Sequence, residues 1–183
     1  MKWWIYVLSV AFVAVIGVIV FYPFYPLKYF SEIRMYAEEF DLKPEFVASV
    51  INAESGFDER AVSSKGAIGL MQLMPSTAQE IAEKLEFDNY SDDMLYDPDV
   101  NIRFGCYYLR YLSDRFQDDT LVLASYNAGM GVVYKWLNNE KYSSDGELIK
   151  IPYKQTDEYV KKVNKALPHY EKEFNRRNPK ISA

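Results

Sequence analysis

A long uncharged stretch at the amino terminus is the strongest constraint on how this chain folds. No residue from Trp3 to Leu27 is charged, a run of 25 residues, and about 20 apolar residues suffice to cross a bilayer. Backbone groups find no water in the hydrocarbon core, so a single segment that crosses it must be helical. Aromatic residues stand near both ends of the run, Trp4 at one and Phe24 at the other, as in the interfacial belts of membrane-spanning helices. The sequence therefore predicts one transmembrane helix within residues 1–27.

The residues around this run favour an uncleaved anchor over a secretory signal. A signal peptide has a shorter apolar region, about 7 to 15 residues, and a cleavage site of small residues, and no convincing site follows the run. Cytoplasmic flanks carry an excess of lysine and arginine. Lys2 and the free amine precede the run, whereas Lys28 and Arg34 beyond it are offset by Glu32. We expect the amino terminus in the cytoplasm and residues 28–183 on the extracytoplasmic side.

The rest of the chain is patterned for helices. Apolar residues recur at three- and four-residue steps, which is the period of helices packed on one core. The segments with this pattern lie near residues 30–40, 44–54, 75–85, 97–112, 118–128, 132–137 and 156–167. Pro168 is expected to bend or end the last helix, and the helix after Asp97 is expected to be the longest. We predict a mostly α domain over residues 28–175 and a flexible tail over residues 176–183.

Three connecting stretches are expected not to be helical. Residues 86–96 and 138–150 are polar and are predicted to be surface loops. Glycine and serine residues interrupt any helix in residues 58–74, which are predicted to be loop or short extended structure. The apolar residues of this loop, such as Leu70, would be costly in water, so the loop must pack on the core and can line a groove. Gln72 lies among them and is expected to contact a specific partner.

Charge and residue counts exclude several kinds of chemistry. The net charge of -5 and the pI of about 5.0 give no basic surface for nucleic acid. His169 is the only histidine and Cys106 the only cysteine, so a zinc cluster and a histidine-dependent triad are both excluded. The glycines around Met130 lack the lysine and the spacing of a phosphate-binding loop. We expect no nucleic-acid partner, no metal and no cofactor, which leaves acid–base chemistry by carboxylates.

Glu54 lies on the apolar face of the helix predicted from Pro44. Val50 precedes it by four residues and Ile51 by three, a spacing that places its carboxylate on the buried face. Burying an unpaired charge is costly, so three interpretations are open. Glu54 sits at a frayed helix end, with Gly56 as the helix stop, or it is paired with a cation, or it is held in an apolar cleft as a catalytic acid.

A catalytic acid in such a cleft would suit a weakly basic oxygen. At an ordinary pKa of about 4.3 a glutamate is almost fully ionised at pH 7, and an apolar cleft raises the pKa so that the protonated form is available. Glycosidic oxygens need such a donor, and most glycosidases place a second carboxylate about 5 to 10 Å away. Asp58, Asp97 and Glu158 are candidates, yet none lies in an apolar pattern. One carboxylate suffices if the substrate's own acetamido group is the nucleophile, which favours N-acetylated amino sugars.

Four blocks in residues 40–168 resemble the catalytic domain of the soluble lytic transglycosylases, a family similar to goose-type lysozyme. Residues 54–57 resemble the family's E-S-x-F block, and residues 69–75 its G-L-M-Q-x-M-P block. Residues 125–129 resemble its A-Y-N-A-G block, and residues 151–160 its I-P…E-T-x-x-Y-V block. All four stand in the family's order. Two positions depart from the pattern: Gln155 replaces the usual glutamate of the last block, and Ser125 replaces the usual alanine.

The resemblance implies a lysozyme-like, mostly helical fold with a short loop or β-like insertion. It also implies cleavage of the β-1,4 bond between N-acetylmuramic acid and N-acetylglucosamine in peptidoglycan. Glu54 would first protonate the leaving oxygen and then, as a carboxylate, take the proton from the muramyl 6-hydroxyl, which leaves a 1,6-anhydro end and consumes no water. The residues that match the family's substrate contacts are Ser63, Gln72, Met74, Tyr126, Asn127 and Tyr159.

Taken together, the anchor and the four blocks predict a membrane-anchored peptidoglycan lytic transglycosylase whose catalytic domain faces the cell wall. Two other functions stay open on the sequence alone. One is a hydrolytic muramidase, which uses water in place of the 6-hydroxyl. The other is a non-catalytic peptidoglycan-binding protein that keeps the groove, against which the intact Glu54 and Gln72 argue.

Overall fold

The structure is a computed structural model that describes Trp3 and residues 25–177. Nearly all of the predicted transmembrane helix in residues 1–27 lies outside the described residues, and so do residues 178–183 of the predicted tail. The first two tail residues, Arg176 and Arg177, still belong to the last helix. In the part of the chain that is described, no helix combines the length and the hydropathy needed to cross a membrane.

The described chain is mostly helical, as predicted. Its α-helices are α1 (Phe30–Glu39), α2 (Pro44–Glu54), α3 (Pro75–Lys84), α4 (Pro98–Ser113), α5 (Asp119–Ala128), α6 (Met130–Leu137) and α7 (Lys154–Arg177). A 3-10 helix, Asp92–Tyr96, precedes α4. Strands β1 (Ser143–Ser144) and β2 (Glu147–Leu148) pair antiparallel between α6 and α7, with Ser143 opposite Leu148.

The helix starts follow the local signals in the sequence. Pro44, Pro75 and Pro98 each stand in a first helical turn, where the missing N–H costs nothing. The Asp97 carboxylate accepts a hydrogen bond from the Asp99 N–H at 2.9 Å and so caps α4. These starts are confirmed where the sequence predicts them.

Two predicted loops contain short regular structure. Residues 86–96 include the 3-10 helix, and residues 138–150 include the β1–β2 hairpin. Asp145 and Gly146 form its turn with φ values of 53° and 81°, the left-handed region that two-residue hairpin turns require. Strands of two residues are too short to give an alternating pattern, so the sequence does not predict them.

Helix α7 departs most from the prediction. The sequence predicts that Pro168 bends or ends it; the helix does not end there, and α7 rather than α4 is the longest helix described, with 24 residues against 16. A proline inside a helix costs about 3 kcal/mol. Tyr170 and Phe174 are buried beyond it, and burial of a large apolar side chain stabilises by about 1.5–3 kcal/mol. Packing of the second half of α7 therefore offsets the proline.

Helix α2 forms the centre of the core. Every residue from 46 to 53 is buried, and α7 packs along α2 while also packing on α5. The second half of α7 holds the start of the described chain: the Tyr170 hydroxyl donates to the Pro26 carbonyl at 2.8 Å, and Phe30 stacks on Phe174 with ring centroids 4.8 Å apart. The first half of α7 is thereby left to cover the carboxyl end of α2, where Glu54 lies.

Candidate active site

Glu54 is the last residue of α2 and lies partly buried at the helix end. The chain turns away sharply after it, because Gly56 and Phe57 both adopt positive φ, 63° and 68°. Phe57 is fully buried. The Ser55 hydroxyl donates to the Leu70 carbonyl at 2.8 Å, which connects this turn to residues 58–74, the glycine-rich loop. The end of α2 is therefore held in place rather than frayed.

The surroundings of Glu54 favour its protonated form. Burial raises the pKa of the Glu54 carboxyl from 4.5 to about 7, because removing a carboxylate from water disfavours its charge. The Tyr159 hydroxyl and the Lys162 ammonium act in the opposite direction and stabilise the ionised form. Burial outweighs both, so about half of the Glu54 side chains carry a proton near pH 7.

Tyr159 approaches Glu54 from α7 and is 7% exposed. Its hydroxyl is close enough to lower the pKa of Glu54, yet the pair does not reach full hydrogen-bond geometry, and the hydroxyl has no other partner among the described residues. The contact is therefore loose, since a hydrogen bond weakens steeply as its geometry departs from the ideal. A buried hydroxyl beside the carboxyl is placed to orient the Glu54 side chain.

Lys162 stands one helical turn after Tyr159 on α7. Its ammonium donates to the Ala53 carbonyl at 2.7 Å, the peptide group that joins Ala53 to Glu54. The positive charge beside the carboxylate lowers the pKa of Glu54. The sequence pattern does not single out this lysine, although its three-residue spacing from Tyr159 puts both on one face of α7.

The glycine-rich loop, residues 58–74, is loop and short extended structure as predicted. Isolated bridges pair Ile68 with Val62 and with Leu73. The loop packs on α4 through Asn101, which is fully buried and was not predicted as a site residue. The Asn101 side chain accepts from the Met71 N–H at 2.8 Å and donates to the Ile68 and Leu95 carbonyls at 3.0 and 2.8 Å.

Gly69 lets the loop approach Asn101 closely. Its φ is 80°, and a Cβ there would overlap the Asn101 side chain and the Leu95 carbonyl. Only glycine combines that backbone conformation with that contact.

Two of the predicted substrate residues are bonded within the loop itself. Gln72 has φ 49°, and its side-chain nitrogen donates to the Ala61 and Gly69 carbonyls at 3.1 and 3.0 Å. The Ser63 hydroxyl accepts from the Ala67 N–H at 2.9 Å. These bonds fix the loop's shape, and they do not run to Glu54. A third predicted contact, Met74, is 40% exposed just before α3.

Helix α5 brings the remaining predicted residues to the site. The Tyr126 hydroxyl donates to the Met71 carbonyl at 2.8 Å. Burial raises the pKa of Tyr126 well above its usual value, and the nearby Glu54 charge adds to the rise. The Asn127 side chain accepts from the Thr156 hydroxyl at 2.9 Å, which joins α5 to the start of α7. The structure therefore brings Tyr126 and Tyr159 to Glu54, while Asn127 acts through helix packing.

The other candidate carboxylates are exposed and have local partners. Asp58 accepts from the Arg60 N–H at 3.0 Å, Asp97 caps α4, and Glu158 lies 3.5 Å from Lys154. Gln155, the departure from the family pattern, is also exposed. Residues 25–177 contain no group of three or more histidine, cysteine or acidic side chains placed to hold a metal ion.

Removing the charge of Lys162 is expected to raise the pKa of Glu54 further. Lys162→Met keeps the aliphatic stem but removes the cation that stabilises the Glu54 carboxylate, so carboxyl NMR of labelled protein should give a titration midpoint above about 7. Lys161→Met is the matched control, since Lys161 pairs with Asp157 at 2.6 Å on the exposed side of α7. Equal midpoints in parent and Lys162→Met protein would contradict the assignment.

Known proteins resemble this chain in sequence. The Transglycosylase SLT domain family matches residues 31–149. The soluble lytic murein transglycosylase of Escherichia coli K12 is 33% identical over 143 residues, which cover 76% of this chain and 22% of that protein. The membrane-bound lytic murein transglycosylase C of Actinobacillus pleuropneumoniae serotype 5b is 30% identical over 166 residues, covering 78% of this chain and 46% of that protein. This chain therefore spans less than half of either relative.

Solved structures share the fold. An inactive glutamate-to-glutamine mutant of lytic transglycosylase Slt from Pseudomonas aeruginosa has a TM-score of 0.75 and 33% identity, over 82% of this chain and 25% of that one. The 70 kDa soluble lytic transglycosylase of Escherichia coli has a TM-score of 0.73 and 30% identity, over the same shares. The predicted family is thereby confirmed: this chain belongs to the Transglycosylase SLT domain family.

Proposed function

We propose that this chain is a peptidoglycan lytic transglycosylase that cleaves the β-1,4 bond between N-acetylmuramic acid and N-acetylglucosamine. The observation that carries the proposal is Glu54, a partly buried carboxyl whose pKa of about 7 keeps a proton available at neutral pH. Membership of the SLT family supports the reaction class. The relatives that bear lytic murein transglycosylase names support murein as the substrate.

In this mechanism Glu54 acts twice. The protonated carboxyl donates to the glycosidic oxygen as the bond to the muramyl C1 breaks, and the leaving sugar departs with a free hydroxyl. The carboxylate then takes the proton of the muramyl 6-hydroxyl, whose oxygen bonds C1 and closes the 1,6-anhydro ring. Glu54 ends protonated, so no water is consumed. The exposed positions of Asp58, Asp97 and Glu158 support a mechanism with one carboxylate, and an inactive glutamate-to-glutamine relative is consistent with it.

We assign to the substrate site, either as direct contacts or as residues that hold those contacts in place, the six residues that the sequence predicts: Ser63, Gln72, Met74, Tyr126, Asn127 and Tyr159. The Tyr159 hydroxyl, buried beside Glu54, supports a role in positioning the carboxyl against the reacting sugar. The internal bonds of Ser63 and Gln72 support a role in which the glycine-rich loop presents them to the muramyl residue. Asn127 then acts by holding α5 against α7.

Cleavage is expected to decline as the pH rises through about 7. The first step needs protonated Glu54, whose pKa is raised to about 7, so the protonated fraction falls about tenfold for each pH unit above that value. Initial rates of glycan release from purified sacculi, measured from pH 5 to 9, would give this descending limb. A rate that stays constant to pH 9 would refute Glu54 as the acid. In Lys162→Met protein the decline of the cleavage rate should occur at higher pH than in the parent.

Product analysis tests the reaction itself. Digestion of purified sacculi followed by mass spectrometry should give muropeptides that each lack one water relative to the hydrolysed product. Hydrated products would identify a muramidase instead. Binding of sacculi without any release would identify a non-catalytic wall-binding protein and overturn the proposal.

We further propose that residues 1–27 form a single-pass anchor, with the amino terminus in the cytoplasm and a catalytic domain of residues 28–175 on the cell-wall side. The uncharged run from Trp3 to Leu27 supports the anchor, and one relative is named as membrane-bound. The contact of Tyr170 with Pro26 would then hold the domain close to the bilayer. Protease added to intact spheroplasts should degrade the domain, and complete protection would overturn this topology.

A further inference from the structure

The short segment that leads into α1, residues 25–29, lies along the second half of α7. We call this segment the strap. The Tyr170 hydroxyl of α7 donates to the Pro26 carbonyl at 2.8 Å, which holds the strap on the domain. The strap precedes residues 31–149, the part of the chain that the SLT family model matches. Its contacts therefore lie outside the part of the chain that defines the family.

The strap also contacts the turn that follows Glu54. The Lys28 ammonium donates to the Phe57 carbonyl at 3.3 Å, and the Tyr29 hydroxyl donates to the Glu59 carboxylate at 3.0 Å. Burial and the bond to Glu59 raise the pKa of Tyr29 to about 12, so this hydroxyl keeps its proton at neutral pH. Phe57 and Glu59 stand only three and five residues after Glu54. Two side chains of the strap are therefore bonded to the chain just beyond the candidate catalytic carboxyl.

The turn after Glu54 contains a strained residue that needs such support. Phe57 has φ 68°, a left-handed conformation that is costly for any residue except glycine and that persists only where neighbouring groups enforce it. The Ser55 hydroxyl accepts from the Phe57 N–H at 3.1 Å, and the Phe57 ring lies beside the Tyr170 ring, with centroids 6.0 Å apart. Lys28 bonds the remaining polar group of Phe57, its carbonyl. The strap thus completes the set of contacts that hold this residue.

The burial of Glu54 depends on where this turn places the end of α2. Burial raises the pKa of the Glu54 carboxyl to about 7, and admission of water would lower the pKa toward its ordinary value. The titratable groups that face Glu54 are Tyr126 on α5 and Tyr159 and Lys162 on α7. The strap acts from a different direction, through the turn itself. A loosened strap would therefore change the exposure of the carboxyl without removing any of these neighbours.

We propose that Lys28 and Tyr29 of the strap are positioning residues for Glu54, which hold the turn after α2 so that the carboxyl stays in its cleft. They act through Phe57 and Glu59 and make no contact with the glycan. This inference rests on the proposed function, since it takes Glu54 as the catalytic acid. The segment that joins the proposed anchor to the domain would thereby also support the active site.

Carboxyl NMR of the labelled full chain in detergent tests the proposal without any substrate. In protein that carries both Lys28→Met and Tyr29→Phe, the Glu54 titration midpoint should lie about 1 pH unit below that of the parent, because a loosened turn admits water to the carboxyl. Loss of the Lys28 charge alone would raise the midpoint, since a cation favours the ionised carboxylate. The direction of the change therefore distinguishes positioning from a charge effect.

Kinetics on soluble glycan strands without peptides give a second measurement. With the midpoint about 1 pH unit lower, the protonated fraction of Glu54 at pH 7 falls from about one half to about one eleventh. The value of kcat for the double variant should then fall at least about fivefold, whereas KM should stay within about twofold because no substrate contact is altered. Lys28→Arg keeps a cationic donor and should restore the parental midpoint and kcat. Lys43→Met is the matched control, since Lys43 is exposed at the opposite end of α2.

A third variant loosens the strap from the side of α7. Tyr170→Phe removes the bond to the Pro26 carbonyl and keeps the ring beside Phe57, so it should also lower the Glu54 midpoint. The proposal is overturned if the midpoint in the double variant equals or exceeds that of the parent. A lower melting temperature with unchanged midpoint and kcat also overturns it, because the strap would then only stabilise the fold. Failure of the proposed function is a separate result, namely no anhydro products from the parent protein.

Discussion

Glu54→Gln is expected to lower the rate of anhydro-muropeptide release by at least about 10³-fold. General acid–base catalysis contributes about 10² to 10⁴-fold for one positioned group, and here one side chain serves both as the acid and as the base. The glutamine amide keeps the shape of the carboxyl but can neither donate a proton to the glycosidic oxygen nor take one from the 6-hydroxyl. The measurement is the initial rate on purified sacculi, with products identified by mass spectrometry.

The same substitution gives its own test of folding. The carboxyl has a pKa of about 7 in the folded chain against 4.5 as the ordinary value, so the folded state holds its proton more tightly than the unfolded state does. The contribution of the Glu54 carboxyl to the free energy of unfolding is therefore greatest below pH 4.5, and it is lost as the pH rises to about 7. The melting temperature of Glu54→Gln relative to the parent should rise between pH 4.5 and pH 8.

A matched control separates loss of the acid from loss of charge. Glu158→Gln changes an exposed carboxylate that lies 3.5 Å from Lys154, and we expect it to keep the parental rate at all pH values. If Glu54→Gln also digested sacculi at the parental rate, another group would have to supply the proton. The single-glutamate mechanism would then be wrong.

Local signals account for the part of the fold that the sequence predicts. Pro98 and the Asp97 cap set the start of α4 within three residues of chain, so no knowledge of the rest of the fold is needed. The position of Glu54 on the buried face of α2 follows from helical spacing alone. Pro168 is the opposite case, because the residues that offset its cost, such as Tyr170, pack against the distant start of the described chain.

Contacts between distant segments account for what the sequence misses at the site. Lys162 reaches Ala53 across 109 positions of chain, and Asn101 reaches Ile68 across 33. Neither residue is unusual within its own helix. For Gln72 the sequence pattern predicts a polar group with a specific partner, but it does not reveal that its amide nitrogen bonds the loop's own carbonyls.

The position of Glu54 depends on the glycine-rich loop, and the loop depends on Asn101. Asn101→Ala is expected to lower the free energy of unfolding by about 3 kcal/mol, because it leaves two buried backbone groups without partners and each such group costs about 1–3 kcal/mol. Those groups are the Met71 N–H and the Leu95 carbonyl, while the Ile68 carbonyl loses one donor and keeps the Leu73 N–H at 3.1 Å. Urea unfolding followed by circular dichroism measures the loss. Glycan cleavage should fall as well, since Ser55 holds the end of α2 through this loop.

Two companion variants separate lost hydrogen bonds from lost volume. Asn101→Asp keeps the size and the acceptor toward Met71, but it turns a second oxygen toward two carbonyls in place of the donating nitrogen. It should therefore destabilise at neutral pH about as much as Asn101→Ala, although it leaves no cavity. Asn164→Ala, on the exposed face of α7, should stay within about 0.5 kcal/mol of the parent. An equally small change in the free energy of unfolding for Asn101→Ala would mean that apolar contacts alone hold the loop. The hydrogen bonds that connect α4 through the loop to the end of α2 would then not stabilise the position of Glu54.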